Sequence, residues 1–474
     1  MKKQIVNPYL PSWEYIPDGE PRIFDDRVYI FGSHDSFNGH VYCLNDYVCW
    51  SAPVGDLSDW RYEGVIYQKT DDPKNVEGRM CLYAPDVIKG SDGRYYLYYT
   101  LDKTQVVSVA VCDSPAGQYQ FYGDVCDSKG NILGERPGDE PQYDPAVLRE
   151  GEKTYLYTGF CLPDDLTRSG ALVTVLGKDM LTIIEETVIA IPSKPYNKDE
   201  RFVGHEFFEG PSIRKVEDVY YFIYTSVPLY ELCYATSKSP KGKFTYGGVI
   251  IANNDLHIDS YKPAQKPMYY GGNNHGSIAN IDGKWHVFYH RHTNGTNFSR
   301  QACQEIIEIL PDGKILQVPM TSCGSAKGYL KGQGEYSAYI ACNLFCDHQT
   351  LYSGGAGEHG MWLGSEHPRI TQDGRDGDKE VGYISNMTES ATAGFKYFDM
   401  SKVSKVAIKV RGYCSGRFEV KTAWDGDVIG EIIVGSNNVW TKYETDIKHI
   451  RGVHALYFTY KGAGSAALKS FTLL

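Results

Sequence analysis

Val28-Tyr29-Ile30-Phe31 is the first of five short, aromatic-rich runs that decide how this chain folds. Corresponding positions in the five runs are separated by 67, 59, 66 and 65 residues. Such runs, bounded by polar turns, predict strands, and a repeat of this length holds about four of them. Four-stranded units repeated around an axis are propeller blades, so the sequence predicts an all-β, five-bladed β-propeller over residues 1–320. The other four runs are Tyr95-Tyr96-Leu97-Tyr98-Tyr99, Tyr155-Leu156-Tyr157, Tyr220-Tyr221-Phe222-Ile223-Tyr224 and Trp285-His286-Val287-Phe288-Tyr289.

A polar residue stands about ten positions before each aromatic run. In chain order these residues are Asp18 or Glu20, Asp86, Asp144, Glu209 and His275. If five equivalent strands surround one axis, five equivalent side chains converge on it. Converging carboxylates are what acid–base cleavage of a glycosidic bond requires. The repeat therefore predicts a carboxylate-rich site at the propeller axis.

The repeat stops after Ile315, and the remaining chain has a different pattern. Residues 321–335 are rich in Gly, Ser and Lys, as a linker between domains would be. Residues 336–474 contain alternating apolar and polar runs at 403–410, 418–421, 428–434 and 455–460. Alternation of this kind puts one face of each strand inside, so we expect a second domain with a β-sandwich (jelly-roll) fold.

Composition narrows the class of partner. The 474 residues carry a formal net charge of -11, which argues against nucleic acid as a ligand. The chain has no run of eighteen apolar residues and no apolar segment after Lys2-Lys3, so neither a spanning helix nor a secretory signal is predicted. The twelve cysteines are scattered, and free thiols in a cytoplasmic protein are therefore expected. The 38 tyrosines fit a β-rich protein with a sugar-facing surface.

Several motifs in the propeller part occur together in a fixed order. They are Asn7-Pro8, Pro17-Asp18-Gly19-Glu20-Pro21, Ala84-Pro85-Asp86-Val87, Tyr143-Asp144-Pro145-Ala146-Val147, Glu209-Gly210-Pro211-Ser212-Ile213 and Asn274-His275-Gly276-Ser277. In these motifs about two thirds of the chain resembles glycoside hydrolase family 43, the arabinofuranosidase and β-xylosidase type. The C-terminal part resembles a carbohydrate-binding module of family 6 through Val439-Trp440-Thr441 and Gly452-Val453-His454-Ala455-Leu456-Tyr457-Phe458.

The resemblance implies hydrolysis with inversion at the anomeric carbon, by a general base, a general acid and a third carboxylate that tunes the acid. Glu209 matches the Glu-Gly-Pro of the acid, and a neighbouring negative charge or burial would keep it protonated. Asp144 matches the tuning aspartate. The base is either Asp18 or Glu20, because the family's Asp-Pro is interrupted here; residue type and spacing favour Asp18. Glu20 is then expected to contact substrate or a neighbouring Arg.

Two further motif residues and one Arg complete the predicted axis. Asp86 either binds a backbone group near the axis or contacts substrate. His275 resembles the family's axial His, which ligates a calcium ion through a mostly water-filled shell. Hard cations prefer oxygen ligands, so a satisfied polar residue is the alternative. The chemistry itself needs no cofactor. Arg300 resembles the family's sugar-contacting Arg, and its fork suits either adjacent hydroxyls or an active-site carboxylate.

The remaining candidates are residues that could form the walls of the sugar pocket or stack against a bound sugar. A sugar pocket is lined by aromatic faces and polar groups, and residues near the motifs are the candidates for its walls. Phe31 is better explained as blade core. In the sandwich, Trp440 lies within a strand pattern and is expected to be structural, whereas Trp424 is the candidate ligand platform. The predicted pocket-wall residues are Trp13, His34, Asp35 and Phe208.

Three functions remain open from the sequence. The first is an exo-acting glycosidase that removes terminal α-L-arabinofuranose or β-D-xylose from small plant oligosaccharides. The second is another five-bladed carbohydrate enzyme, a fructan hydrolase or a mannoside phosphorylase; a phosphorylase would need a basic pocket, for which Arg300 and Arg291 are the candidates. The third is a lectin-like propeller without catalysis. Neither a membrane nor nucleic acid is an expected partner, and the sequence does not predict an oligomeric state.

Overall fold

The structure of this protein is a computed structural model that describes residues 4–256, 258, 267–326, 328–347 and 367–474, and these residues form twenty-eight strands. The first nineteen strands form five antiparallel sheets in chain order. Blades I and II hold β1 (Glu20–Phe24), β2 (Arg27–Phe31), β3 (Tyr47–Pro53), β4 (Arg61–Tyr67), β5 (Asp86–Lys89), β6 (Tyr95–Tyr99), β7 (Ser108–Cys112) and β8 (Gln120–Asp124). Blades III to V hold β9 (Ala146–Glu150), β10 (Lys153–Thr158), β11 (Gly170–Leu176), β12 (Ile183–Pro192), β13 (Phe207–Val216), β14 (Val219–Ser226), β15 (Glu231–Ser237), β16 (Thr245–Ala252), β17 (Ser277–Ile281), β18 (Lys284–His292) and β19 (Arg300–Ile307).

The five aromatic runs form the second strand of each blade, namely β2, β6, β10, β14 and β18. Their side chains are largely buried between neighbouring blades, which explains why both faces of these strands are apolar. The first strand of each blade contacts the first strand of the next, and β17 contacts β1. The predicted five-bladed propeller is therefore confirmed.

The start of the chain closes the ring beside blade V, whose sheet has three strands. Tyr9 N donates to Ala302 O at 3.2 Å, next to the outer edge of β19. The Asn7 side chain replaces a strand backbone, because its Nδ2 donates to Gln304 O at 2.9 Å and its Oδ1 accepts from Gln304 N at 3.0 Å. Asn7 thus satisfies an edge that would otherwise be left with unpaired backbone groups.

Nine strands form one sheet in the C-terminal part, which closes almost completely on itself and confirms the predicted sandwich-like domain. The long strands β25 and β28 pair over most of their length. The strands are β20 (Gly334–Ser337), β21 (Asn343–Phe345), β22 (Arg369–Thr371), β23 (Tyr383–Met387), β24 (Thr392–Asp399), β25 (Lys405–Lys421), β26 (Val428–Val434), β27 (Asn437–Asp446) and β28 (Val453–Leu473). Four single-turn 3-10 helices complete the described elements, Lys69–Asp71, Lys194–Tyr196, Glu200–Phe202 and Ala338–Ile340, and no described helix is long and apolar enough to cross a membrane.

The predicted separation of runs 403–410 and 418–421 is wrong, because both belong to the single strand β25. Gly412 and Gly462 allow the long strands to continue through their bends with positive φ values of 138° and 147°. A Cβ at Gly462 would lie only 2.4 Å from Ser415 O of the paired strand. Glycine at these positions permits the close approach of the two paired strands within the sheet.

The two domains share a continuous apolar core that includes blades IV and V and the C-terminal sheet. The predicted linker begins with buried residues, and Ser322 N donates to Lys396 O at 2.7 Å. A buried ion pair, Lys396 Nζ to Asp255 Oδ2 at 2.8 Å, joins the C-terminal sheet to the end of blade IV. The first part of the linker is thus packed between the domains, and the boundary at 321–335 stays a prediction.

Candidate active site

A cavity of about 410 Å³ lies at the propeller axis. That volume is in the range of small-molecule sites. The described residues that line it include six that the sequence predicts for the site: Asp18, Asp144, Phe208, Glu209, His275 and Arg300. Other lining residues include Tyr42, Cys43, Tyr83, Ala84, Asp102, Tyr143, Phe160, Arg168, Leu229, Asn273 and Asn297.

Three of the polar side chains reach the cavity from the same place in their blades. Asp18, Asp144 and His275 each stand two residues before the first strand of a blade. The backbone of Asp18 and of Asp144 has positive φ, 58° and 49°, which Asp tolerates better than most residues. This turn precedes each strand and directs the side chain toward the axis, where the blades meet.

Glu209 reaches the cavity through an irregular start of β13. The pairing of β13 with β14 shifts register between Glu209 and Ser212. Gly210 has φ 65°, and a Cβ there would lie 2.8 Å from the His275 ring. Gly210 is therefore required for the backbone to approach His275, and the bulge turns Glu209 into the cavity.

Asp18 lies among the side-chain nitrogen atoms of Arg300, His290 and His275, and its own backbone N donates to His290 Nδ1 at 3.3 Å. Arg300 Nη1 is 3.0 Å from Asp18 Oδ1, and His290 Nδ1 is 3.3 Å from the same oxygen. Burial alone would raise the pKa of Asp18, but Arg300, His290 and His275 outweigh it and hold that pKa well below its usual range. Asp18 is therefore ionised throughout the neutral range and can accept a proton from water.

Arg300 is fixed by a second carboxylate. Its Nε and Nη2 lie 2.8 and 3.0 Å from the two oxygens of Asp35. The guanidinium also lies over the ring of Tyr42, 4.8 Å from its centroid. Arg300 makes the predicted contact with an active-site carboxylate, and its contact with a sugar stays a prediction. Asp35 lies behind Arg300 and is not among the described residues that line the cavity.

The two other carboxyl groups have raised pKa values. Burial raises the pKa of Glu209 to about 7, and the Asp18 charge adds to this while Asn273 and Arg300 oppose it. Burial likewise raises the pKa of Asp144 to about 7, opposed by His275 and reinforced by Glu209 and Asp18. The site therefore combines one strongly ionised carboxylate with a coupled pair that holds a proton near neutral pH.

Glu20 and Asp86 lie one layer deeper along the axis. For both residues, contact with substrate was one of the alternatives that the sequence left open. Asp86 accepts from Arg22 Nε at 2.8 Å and from Val147 N at 2.8 Å. Glu20 Oε2 accepts from Arg214 Nη2 at 2.6 Å. Neither lines the cavity among the described residues, because both are enclosed by arginine pairs between blades. Of the alternatives left open, Asp86 binds backbone and Glu20 contacts an Arg.

Trp13 and His34 also lie away from the described cavity wall. Trp13 packs against Trp50, with ring centroids 6.3 Å apart. His34 Nε2 is 3.0 Å from Glu14 Oε1, and its Nδ1 is 2.8 Å from Asp46 O. Both residues brace the first blade, so their prediction as pocket walls is corrected.

Two further residues that the sequence analysis considered, Phe31 and Arg291, lie outside the described cavity wall. Phe31 is fully buried core, as expected. Arg291 points away from the axis, since it donates to Tyr339 O and Ala341 O at 2.6 Å each. It therefore adds nothing to a basic pocket, and Arg300 is already paired with two carboxylates.

The two tryptophans of the C-terminal sheet are both partly buried. Trp440 packs against Tyr383 and under Arg411, whose guanidinium carbon is 4.3 Å from the ring centroid. Trp424 packs beside a small apolar cluster that includes Tyr457. Trp440 thus has the structural contacts expected for it, and the platform role of Trp424 stays a prediction.

His275 has few oxygen atoms to share with a calcium ion. Its Nδ1 is 3.8 Å from Asp18 Oδ1, an oxygen that Arg300 already binds. Calcium takes six to eight oxygen ligands, so water would have to provide most of them. Among the described residues, the one cluster of three potential ligands is His205, Glu231 and Cys233, which does not include His275.

Sequence reasoning missed several residues of the site. Asn273, which donates to Glu209 Oε1 at 3.1 Å, directly precedes a motif that was identified. His290 lies at the end of an aromatic strand and was absorbed into the strand pattern. Tyr42, Asp102 and Arg168 come from loops of irregular sequence, where no periodicity indicates a site.

Comparison with known proteins identifies relatives over the whole chain. The family described as "Glycosyl hydrolases family 43" matches residues 18–315. "Xylosidase/arabinosidase" of Thermoclostridium stercorarium is 67% identical over 473 residues, which cover 100% of this chain and 99% of that protein. "Arabinoxylan arabinofuranohydrolase" of Paenibacillus polymyxa is 26% identical and is aligned over 94% of this chain and 70% of its own length.

The solved structures support the fold. A glycoside hydrolase family 43 arabinoxylan arabinofuranohydrolase from Bacillus subtilis, in complex with cellotetraose, matches with a TM-score of 0.53 at 21% identity and covers 99% of both chains. At this identity the similarity concerns the architecture of propeller and C-terminal sheet. Together with the sequence match over 18–315 and the 67% identical relative, it confirms the resemblance predicted for the propeller. This chain belongs to glycosyl hydrolases family 43 and is a glycoside hydrolase.

Proposed function

We propose that this enzyme removes terminal α-L-arabinofuranose, β-D-xylose or both from arabinoxylan and xylan oligosaccharides, with inversion at the anomeric carbon. The 67% identical relative is named for both pentosidase activities, and the two sugars are of similar size. A cavity of about 410 Å³ at the axis has the size of a small-molecule site and suits a short chain terminus. The proposal is therefore exo-acting hydrolysis of short substrates.

Glu209 is the proposed general acid. Burial raises its pKa to about 7, so a substantial fraction carries a proton near neutral pH. Asn273 Nδ2, 3.1 Å from Oε1, fixes the orientation of the carboxyl group. The proton passes from Glu209 to the glycosidic oxygen as the bond to the anomeric carbon breaks. Asp144, whose own pKa is raised by burial and by the Glu209 charge, makes loss of both protons unfavourable and thereby tunes the acid.

Asp18 is the proposed general base. Arg300 and His290 keep it ionised, and His290 Nε2 is itself 2.8 Å from Asn273 O, which orients the ring. Asp18 accepts a proton from the attacking water, and the hydroxyl adds to the anomeric carbon on the face opposite to the leaving oxygen. In inverting enzymes the two carboxyl groups stand about 6.5–9.5 Å apart, which leaves space for that water.

The observation that carries this proposal is the opposite displacement of two pKa values in one cavity, down for Asp18 and up for Glu209. The test is the configuration of the first product. Proton NMR during hydrolysis of an aryl β-D-xylopyranoside should show α-xylose before mutarotation; β-xylose as first product contradicts inversion. Rates on nitrophenyl arabinofuranoside, xylopyranoside and galactopyranoside then rank the sugars, and preference for galactoside contradicts a pentosidase.

Three finer points belong to the same proposal. A family 6-like sugar-binding role for the C-terminal domain is supported by its sandwich-like sheet, and Trp424 is the candidate ligand platform. A calcium ion at His275 would be held mostly by water and supplies no step of the chemistry above. A cytoplasmic location, with imported oligosaccharides as substrates, is supported by free thiols such as Cys43, Cys49 and Cys161.

A further inference from the structure

A segment of the C-terminal domain, residues 369–382, lies against the propeller loops that surround the active-site cavity. Asn294 N donates to Ile370 O at 2.7 Å, beside the loop that carries the cavity residue Asn297. Tyr15 OH donates to the buried Gln372 Oε1 at 2.7 Å. Two propeller loops near the site are thus hydrogen-bonded to the second domain.

Asp376 makes the contact that reaches furthest toward the chemistry. Its Oδ1 accepts from Phe37 N at 2.6 Å, and its Oδ2 accepts from Asn45 Nδ2 at 3.1 Å. Asn45 Nδ2 also donates to Asp35 O at 3.0 Å. One carboxylate of the C-terminal domain therefore ties together both ends of the propeller loop 36–45, which we name the wall loop.

The wall loop supplies part of the cavity. Tyr42 and Cys43 line the cavity, and the Tyr42 ring lies under the Arg300 guanidinium. Cys43 N donates to Asp35 Oδ1 at 3.0 Å, and Asp35 in turn holds Arg300. A connected set of contacts thus runs from the second domain, through the wall loop, to the Arg that keeps Asp18 ionised.

We propose that Asp376 is a positioning residue, through which the C-terminal domain completes the sugar-binding wall of the propeller site. Asp376 touches neither Asp18 nor Arg300 directly; it acts by holding the wall loop closed at both ends. Because Tyr42 and Cys43 form a wall and exchange no proton in the mechanism, loss of this hold weakens substrate binding more than it slows the chemical step.

An amide in place of the Asp376 carboxylate would not make both of its hydrogen bonds. The Asn at this position in Asp376→Asn would retain one acceptor for Phe37 N but present an NH2 group to the Asn45 amide. Asn45 cannot rotate to accept, because its Nδ2 is held by Asp35 O. Asp376→Ala removes both acceptors. The two variants therefore form a graded series.

Glu380→Ala is the matched control. Glu380 is exposed on the same segment, its removal changes the charge equally, and its carboxylate has no partner within the described chain. Each variant is made in the full-length protein. Steady-state kinetics on a pentoside, the pH profile of kcat/KM, the melting temperature and hydrogen–deuterium exchange of peptides covering 36–45 are measured for all.

Asp376→Ala should raise KM about tenfold with kcat changed less than about twofold, as loss of one or two hydrogen bonds predicts. Exchange in 36–45 should increase, both limbs of the pH profile should stay in place, and melting should match Glu380→Ala. Asp376→Asn should fall between. Equal KM and equal exchange in Asp376→Ala and Glu380→Ala would overturn the inference, as would a fall in kcat at constant KM.

The kinetic arm rests on the proposed function, whereas the exchange arm does not. If the wild-type enzyme fails to hydrolyse pentosides, the proposed function is contradicted. Exchange of the wall loop then decides the inference alone: faster exchange in Asp376→Ala supports it and unchanged exchange overturns it.

Discussion

Two layers of carboxylates lie along the propeller axis. The upper layer stands two residues before the first strand of its blades, and the lower layer stands at the first residue of such strands. The upper layer contains Asp18 and Asp144 and lines the cavity; the lower layer contains Glu20 and Asp86 and does not, within the described part of the chain. Asp18, Glu20 and Asp86 are buried, and Asp144 is partly buried beside the cavity. The two layers differ most in their partners.

Each lower carboxylate has its own arginine from a neighbouring strand, Arg22 for Asp86 and Arg214 for Glu20. In the upper layer, one Arg300 serves Asp18 and Asp35, and Glu209 and Asp144 receive no arginine partner among the described residues. Burial without a compensating cation raises a carboxyl pKa, whereas arginine pairing keeps the charge. The lower layer therefore joins the blades, and the upper layer retains a mobile proton.

Asp18→Asn breaks the upper layer most directly. The amide cannot accept a proton from water, so kcat should fall about 10³-fold or more while the fold persists. Steady-state rates and circular dichroism measure the two effects. Residual activity within tenfold of wild type would assign the base elsewhere, with Glu20 as the first alternative.

Asp86→Asn tests the lower layer with the matching substitution. It leaves Arg22 without its carboxylate inside the protein, so the free energy of unfolding should fall by about 3–5 kcal/mol. Denaturant unfolding measures this change, and kcat per folded molecule should stay within a few-fold of wild type. A large loss of kcat in a stably folded variant would place Asp86 in the catalytic layer after all.

Arg300→Gln removes from the upper layer the arginine pairing that Asp18 shares with the carboxylates of the lower layer. Arg300 is the strongest factor that lowers the pKa of Asp18, and burial then acts without opposition from it. The pKa of Asp18 should rise, so the acid limb of kcat/KM should move to higher pH and the rate at neutral pH should fall about 10–100-fold. An unmoved acid limb would show that His290 and His275 suffice.

Glu20→Gln should have the smallest effect. The substitution retains an acceptor for Arg214 Nη2, and Glu20 Oε1 has no hydrogen-bond partner within the described residues. Glu20 accepts one hydrogen bond, from Arg214, whereas Asp86 also accepts from Val87 N and Val147 N. We therefore expect a smaller loss than for Asp86→Asn, about 1–2 kcal/mol in the free energy of unfolding, and unchanged pH limbs. Thermal and denaturant unfolding with a pH–rate profile provide the comparison; a shifted limb would tie Glu20 to the proton chemistry.

The strands and Glu209 were predictable because aromatic periodicity and a local motif define them. The layer that each acidic residue occupies was not predictable. A spacing of about ten residues does not distinguish two positions that are only two residues apart in the chain. Strand pairing separates them: Asp86 opposes Tyr98 and Glu20 opposes Phe31, so these two are equivalent. The counterpart of Asp18 in blade II is accordingly Ala84, which lines the cavity.

The partners that set the chemistry were also beyond the sequence. Arg300 meets Asp35 across 265 positions of the chain, and Asp376 meets Phe37 across 339. No periodicity relates such residues; they meet only because the ring of blades closes and the C-terminal sheet packs against it. The charged pairs could therefore be identified only from the fold, although the residue types are evident in the sequence.

The most direct test of the central claim is the pH dependence of Glu209→Gln on an aryl pentoside with a strongly activated leaving group, which needs no proton donor. A pentoside with a poor leaving group is compared with it, because only that substrate needs the proton of Glu209. On the poor leaving group, wild-type kcat/KM should fall above about pH 7, where Glu209 loses its proton. The account predicts that Glu209→Gln retains activity on the activated pentoside, with the acid limb of Asp18, and loses activity on the poor leaving group. Hydrolysis of the poor leaving group by Glu209→Gln at the wild-type rate, with the alkaline limb unchanged, would contradict the assignment of Glu209 as the acid.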